Sequence, residues 1–382
     1  MKNPIYLDYN GTTPHDPEVI EAMRPFFEQE FGNPSSTHWY GIAPKRAVEK
    51  AREQIASILN CEPKEIVFTS GGTESNNAFI RGVARANAAR GNHVITSQVE
   101  HPAVLEVCRH LETRGFDITY VPVDEHGLVS VEDVEKAITP QTTLLTIMHA
   151  NNEVGTIQPI EELSDLAHAH SIVMHTDAAQ SVGKISTDVN TLGVDALSVA
   201  GHKIYAPKGI GALYVRRGTP MEKFMLGAGQ ERGERAGTEN VLEIVGLGKA
   251  CEIALRDLEQ NAAHMKKMRD MLHEGLQRNL ADTRLNGHPE SRLGNTLSLS
   301  FHNLEANRIL EEIGLDVAAS AGAACHSDSV EISHVLEAMK VPVEWAMGTL
   351  RFTTGRMTTE EEITQAIDAV VRGVEACRRQ KA

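Results

Sequence analysis

The sequence predicts an α/β protein, with a large domain built on a mostly parallel seven-stranded sheet and a smaller α+β domain after it. Three observations carry this expectation. Between residues 65 and 215, short runs rich in Val, Ile, Leu and Thr alternate with segments of helical period, which is the pattern of repeated βα units. The residues just beyond those runs are polar, and open α/β sheets bind their ligands there. At 382 residues the chain is also longer than one compact core accommodates.

In order along the chain, Tyr6 to Pro14 reads as an extended arm ending in turn chemistry. Asp16-Pro17 then caps a helix that carries Val19, Ile20, Met23 and Phe27 on one face. After the polar loop Gly32 to His38, a second helix places Ala47, Ala51, Ile55 and Ile58 at helical spacing. Glu65 to Thr69 is a buried strand. It runs through Gly71-Gly72-Thr73 into a helix, and glycines before a helix N-terminus form an anion cradle. No GK[ST] follows, so this is not a Walker loop.

Strands are then expected at 93–98, 118–123, 142–149 and 171–176, with helices from about Pro102, Val131 and Ile160. Ala196 to Ala200 and Gly209 to Val215 supply two more strands. A glycine-rich, charge-dense loop follows from Gly227 to Thr238, and a helical stretch from Val241 to Leu280 leads away from the sheet. The expected organisation is an arm over 1–15, a large domain over 16–255 and a small domain over 256–382. The small domain contributes a strand at Asn295–Phe301, a helix at Glu305–Ile313, short strands near Val317 and Leu350–Thr353, and a final helix from Thr358.

The polar residues after the strands are Thr73, His101, Asn151-Asn152-Glu153, Asp177 with Gln180, and His202-Lys203. Singly, each has a bland reading: His101 and Asp177 as helix caps, Asn152 as a turn residue, Lys203 as a solvated loop lysine. Convergent on one sheet edge, they make a candidate site with Lys203 as its reactive amine.

Net charge is −15, which disfavours a broad nucleic-acid surface. No run approaches the roughly 18 apolar residues that span a bilayer, and the start lacks a signal-peptide core, so a cytoplasmic enzyme is expected. Five scattered cysteines form no CxxC pair, and no metal site is expected.

Taken together, Tyr6-Leu7-Asp8-Tyr9, Gly32-Asn33-Pro34-Ser35-Ser36, Gly72 to Asn77, Glu100-His101, Asn151 to Gly155, Asp177-Ala178-Ala179-Gln180, Gly201 to Tyr205, Gly229 to Arg232 and Ala324-Cys325 resemble the cysteine desulfurases of the NifS and IscS type. The resemblance covers nearly the whole chain. It implies pyridoxal 5'-phosphate (PLP) and the fold type I, aspartate-aminotransferase-like architecture. It also implies a homodimer with shared active sites, L-cysteine as substrate and a sulfur acceptor protein as partner.

Residue by residue, the resemblance makes Lys203 the Schiff-base lysine, Asp177 the partner of the pyridine nitrogen, Gln180 a donor to the phenolic oxygen, and His101 a ring neighbour and proton shuttle. The phosphate falls to Gly72, Thr73, His202 and the partner subunit's Thr238. The substrate carboxylate falls to Arg356 and Asn33, with Asn152 near ring and substrate. Cys325, in a stretch of small and polar residues expected to form a mobile loop, is implied as the nucleophile that becomes a persulfide. Selenocysteine lyase and class V aminotransferase are the alternatives, and a catalytically silent PLP-binding scaffold is a third.

Several positions depart from the family pattern. Ala200 stands where a phosphate-binding serine is usual, and Ser198 sits about 6.6 Å back along the strand, at roughly 3.3 Å per residue. Ala323, His326 and Ile332 replace a common serine, threonine and proline around Cys325. The chain ends at Ala382 without the longer tail of IscS-type members, so a different acceptor is expected.

Overall fold

The computed structural model describes residues 3–326 and 329–381, and the side chains of 323–326 and 329–331 lie outside that description. Strand β1 (Ile5–Tyr6) opens the chain, followed by helices α1 (Pro17–Glu28) and α2 (Trp39–Leu59). Then come β2 (Ile66–Thr69), α3 (Gly72–Ala86), β3 (His93–Ser97), α4 (Pro102–Glu112), β4 (Asp117–Val121), α5 (Val131–Ala137) and β5 (Thr142–Thr146). The series continues through α6 (Ile160–Ala169), β6 (Val173–Asp177), α7 (Val189–Leu192), β7 (Ala196–Ala200) and β8 (Gly211–Val215).

Strands β2 to β8 form one sheet in the order β2-β8-β7-β6-β5-β3-β4. Only β8 runs against its neighbours. The strand order turns between β5 and β3, and such a switch point opens a crevice outside the strand ends. Both faces are covered, and β2, β3, β5 and β7 are buried along their whole length, as their continuous apolar and threonine-rich runs require. On one face α1, α2 and α8 (Val241–Arg256) complete the core through Val19, Ile55 and Leu247; on the other, α3 and α4 pack through Phe79 and Val104.

The expected apolar face of α1 is narrower than its sequence suggests. Val19 and Met23 are buried, but Ile20 and Phe27 are exposed. At 100° per residue Ile20 sits well off the Val19–Met23 line, so only one stripe reaches the sheet. The long helical stretch also divides. Helix α8 stops at Asp257, and α9 (Leu258–Asn279) starts there on a new axis, its Met268, Leu272 and Leu276 joining a second core.

That second core is organised by β9 (Thr283–Asn286), β10 (Thr296–Phe301), α10 (Ala306–Ile313), β11 (Val317–Ala318) and β12 (Ser320–Ala321). After them come β13 (Ala323–His326), β14 (Ser329–Ile332), α11 (His334–Ala338), α12 (Val343–Ala346), β15 (Thr349–Thr353) and α13 (Glu360–Lys381). A four-stranded sheet runs β12-β15-β10-β9, and β1 pairs with β11, so the arm belongs to the smaller core. Sequence reading missed β9 and the short strands around residue 320. Where a loop was expected, the backbones of β13 and β14 pair, Cys325 opposite Val330. No helix among the described residues is long and apolar enough to cross a membrane.

Candidate active site

A cavity of about 280 Å³ lies beyond the carboxyl ends of β3, β5, β6 and β7. At its centre is Lys203, delivered by a 3₁₀ turn (Gly201–Lys203) directly after β7. Its Nζ donates to the backbone carbonyls of Asn10 (2.5 Å) and Gly11 (2.7 Å). Burial, assisted by the nearby Arg351 charge and opposed by Asp8 and Asp177, lowers its pKa to about 8. An amine so tuned is partly neutral near physiological pH, as a nucleophilic lysine must be.

Asp177 ends β6. Its carboxylate accepts from Asn76 Nδ2 (2.7 Å) and from the Ala179 N–H (2.9 Å), which fixes it at the cavity floor. His101 follows β3, and its Nδ1 accepts from the Ala103 N–H at 3.0 Å, capping α4. The cap and the site are therefore one arrangement: Nδ1 is used by the helix, and the neutral ring carries its proton on Nε2. Burial holds the His101 pKa below its ordinary value, with Asp177 opposing and Lys203 reinforcing the shift. Behind it, buried Glu100 accepts from Ser97 Oγ (2.6 Å) and the Met148 N–H (2.9 Å), tying the β3 loop to the end of β5. Burial pushes the Glu100 carboxyl up to about 8, so it sits there as a neutral acid.

At the other end of the cavity, Gly72 and Thr73 open the fifteen-residue helix α3. Gly72 lies beside Ala200, where an added Cβ would come within 3.4 Å of the Ala200 Cβ. His202 also lines this end, with Nδ1 3.2 Å from Thr12 Oγ1, and burial followed by the Lys203 charge lowers its pKa to about 4. Gln180 and Asn152 complete the wall. Gln180 Nε2 donates to the Asn10 carbonyl at 3.0 Å, and the Asn152 carbonyl accepts from Asn10 Nδ2 at 3.1 Å.

Two of the expected residues, Arg356 and Asn33, lie outside this cavity, and Thr238 is expected only from a partner subunit. Arg356 does not line this cavity: its guanidinium pairs with Asp16 and lies 3.9 Å from the centroid of the Tyr205 ring. Asn33 is exposed and turned onto its own loop, where Oδ1 accepts from the Ser35 N–H at 2.8 Å. Thr238 is exposed at the end of the glycine-rich loop. That loop is anchored by the buried pair of Arg52 and Glu231 (2.7 Å) and by Arg235 on Glu74 (2.8 Å). The side chain of Cys325 lies outside the described residues.

The arginine that does reach the cavity is Arg351, from β15. It bonds to Asp8 Oδ1 (2.7 Å) and to the Asn152 carbonyl (3.1 Å). The sequence carried a signal for it, since an arginine centred in the otherwise apolar and threonine run Thr349 to Thr353 asks for a partner. Asn10, a second missed residue, carried none, because its importance arises only from contacts with residues far along the chain.

The donor set fits PLP. Lys203 would suit an aldehyde, Asp177 a pyridinium nitrogen, and the α3 N-terminus with Thr73 and His202 a phosphate. Two buried atoms of cavity-lining residues, Asn76 Oδ1 and Arg351 Nε, have no hydrogen-bond partner among the described residues, which leaves room for a ligand to complete the wall.

Fold and site together define a PLP-dependent enzyme, and the chain belongs to the aminotransferase class-V family, whose model matches residues 5–366. Within that family it falls among the cysteine desulfurases. It is 48% identical to cysteine desulfurase IscS of Dictyoglomus turgidum, over 99% of this chain and 96% of that protein. A solved NifS-like protein superposes with a TM-score of 0.92 at 38% identity, covering 98% of this chain and all of the other. The structure of SspA in complex with cysteine superposes with a TM-score of 0.81 at 38% identity, covering 93% and 99% of the two chains.

One wall of this cradle is thin. Ala200 brings only a methyl group, and Ser198 cannot replace the missing hydroxyl because its Oγ lies 3.0 Å from His175 Nε2, deep in the sheet. His175 is in turn bonded to Thr146 Oγ1 at 2.8 Å and, with burial lowering its pKa to about 3, stays neutral. Ala200→Ser is therefore expected to slow PLP release about tenfold, the effect of ~1.5 kcal/mol from one hydrogen bond to a charged group. An unchanged release rate, followed by loss of visible absorbance on dilution, would count against it.

Proposed function

We propose that the protein is a cytoplasmic L-cysteine desulfurase, which converts L-cysteine to L-alanine and carries the sulfur as a persulfide on Cys325 to an acceptor protein. The observation that carries this reading is the convergence of Lys203, Asp177 and His101 on one cavity, with the chain segment bearing Cys325 in the adjoining small core. When bound, PLP supplies the electron sink that makes bonds at the amino-acid Cα and Cβ breakable.

The protein's own groups divide the remaining work. Lys203 would serve as the base for the substrate's Cα proton, and its lowered pKa suits that task. Asp177, fixed by Asn76 and the Ala179 N–H, would keep a bound ring nitrogen protonated. Arg351 offers its guanidinium to the substrate carboxylate in exchange for Asp8, a fork that suits a planar anion. The Cys325 thiolate attacks the substrate sulfur: a sulfur–sulfur bond forms, the carbon–sulfur bond breaks with its electron pair going to Cβ, Cβ takes up a proton, and return of a proton from Lys203 to Cα completes alanine. His101, with its Nε2–H free, is placed to move protons in this exchange.

Asn33 and Thr238 act across a homodimer in this reading, since neither reaches the cavity of its own chain. The exposed Phe27, Phe31, Trp39 and Tyr40 flank Asn33 and support such an interface, because apolar side chains grouped at a surface mark contact sites.

Incubation of the purified protein with L-cysteine tests the reading. Stoichiometric alanine with a protein-bound persulfide, and no keto acid added, is the expected result. Dependence on a keto acid would instead make it an aminotransferase.

A further inference from the structure

Lys184 lies in the loop after β6, four residues beyond Gln180, and it is 7% exposed. Its ammonium donates to Gln180 Oε1 (2.8 Å) and Asn10 Oδ1 (3.0 Å). Among the described residues no carboxylate lies within ion-pairing distance of it. Burying an ammonium without a counter-charge is costly, and no step of the reaction described above uses it.

The two contacts have a chemical consequence. An ammonium has three donors and no acceptor, so only the oxygen end of an amide can face it. Gln180 must therefore turn its Nε2 away from Lys184. One of the two N–H groups goes to the Asn10 carbonyl at 3.0 Å, leaving the second for the cavity that Gln180 lines. Asn10 is locked in the same manner. Its Oδ1 accepts from Lys184 and from Asn295 Nδ2 (2.9 Å), and its Nδ2 is thereby committed to the Asn152 carbonyl and to Thr296 Oγ1 at 2.9 Å. Without Lys184 the oxygen end of Gln180 loses the donor that fixes it, and the amide is held in this orientation by the Asn10 carbonyl alone.

We propose that Lys184 is a positioning residue that acts through Gln180, fixing the amide so that an N–H donor, never a carbonyl oxygen, faces the phenolic oxygen of PLP. The inference rests on the PLP-enzyme reading and deepens it. Burial, together with the charges of Lys203 and Arg351, lowers the Lys184 pKa to about 7, so the orientation is firmest on the acid side of neutrality. The carboxylates Asp8 and Asp177 act on Lys203 and are not among the groups that shift Lys184.

The test is a pH titration of the visible absorbance of the PLP-loaded protein. A donor on the phenolic oxygen, backed by a cation, opposes protonation of the lysine–cofactor linkage. Lys184→Met is therefore expected to raise the apparent pKa of the band by about one unit and to hasten PLP release. Lys184→Gln, whose amide enforces neither orientation, should move the titration in the same direction and serves if the methionine variant does not fold.

In a Gln180→Leu background, where the amide is gone, adding Lys184→Met should leave the titration where Gln180→Leu alone puts it. An additive shift in that double variant would overturn action through Gln180, as would an unshifted titration in both single variants. A wild-type protein lacking any PLP band would overturn the underlying reading and this inference with it, so the two failures are distinguishable.

Discussion

Cys325→Ser is expected to keep the full visible absorbance of bound PLP and to lose persulfide formation and sulfide release, by a factor on the order of 10³ or more. In the proposed reading, binding of PLP and cysteine rests on groups of the large sheet edge and on Arg351. The thiolate, by contrast, is the only group in the proposed reaction that can take the sulfur, and a hydroxyl at neutral pH is neither ionised nor able to form a sulfur–sulfur bond. The measurement is alkylation-based detection of the persulfide after one exposure to L-cysteine, alongside the absorbance spectrum. Full sulfide release by the serine variant would remove Cys325 from the mechanism.

The second large effect separates two arginines five residues apart. Arg351→Leu is expected to raise the KM for cysteine and lower kcat/KM about 10²-fold, corresponding to ~3 kcal/mol for losing one side of a charged, hydrogen-bonded pair. Arg356→Leu should do something different. Its guanidinium is committed to Asp16 and to the Tyr205 ring, and the Arg356 N–H donates to Tyr205 Oη at 2.9 Å, so its loss weakens the contact between arm, large sheet and small domain. A lowered melting temperature, from breaking a largely buried ion pair worth about 3 kcal/mol, with a smaller change in KM, is the expected signature. A KM that responds chiefly to Arg356 would restore the assignment made from sequence.

Much of the fold was legible because α/β sequences announce their period. The runs at 93–98, 142–149 and 196–200 combine Val, Ile, Leu and small or β-branched hydroxyl residues without charges, as strands buried on both faces can, and they became β3, β5 and β7 within a few residues. Elements that failed to announce themselves were those stabilised by distant partners. Strand β9 is half-buried, and its pairing is made by β10, not by a pattern of its own. The short β12 is two residues long and exists because β15 lies beside it.

The site divides the same way. Residues at strand ends were readable from position alone: Lys203, Asp177, His101 and His202 line the cavity because the chain has to pass there on leaving the sheet. Residues brought in from the arm and small domain were not. Asn10 receives hydrogen bonds from Gln180, Lys184, Lys203 and Asn295, which lie 170 to 285 positions away, and no local pattern predicts such a hub.

By itself, then, the sequence determined the layered α/β architecture, the lysine-bearing strand end and the polar set around it, because these follow from periodicity and from where polar residues fall relative to strands; the expectation of PLP came from the family resemblance. The tertiary structure alone decided which arginine faces the cavity, what neighbours tune Lys203, and why a buried Lys184 stands behind Gln180. The physical reason is that side-chain direction and electrostatic environment are set by the packing of three chain segments around Asn10. A linear pattern fixes what each segment becomes, and only their contact fixes which charges meet.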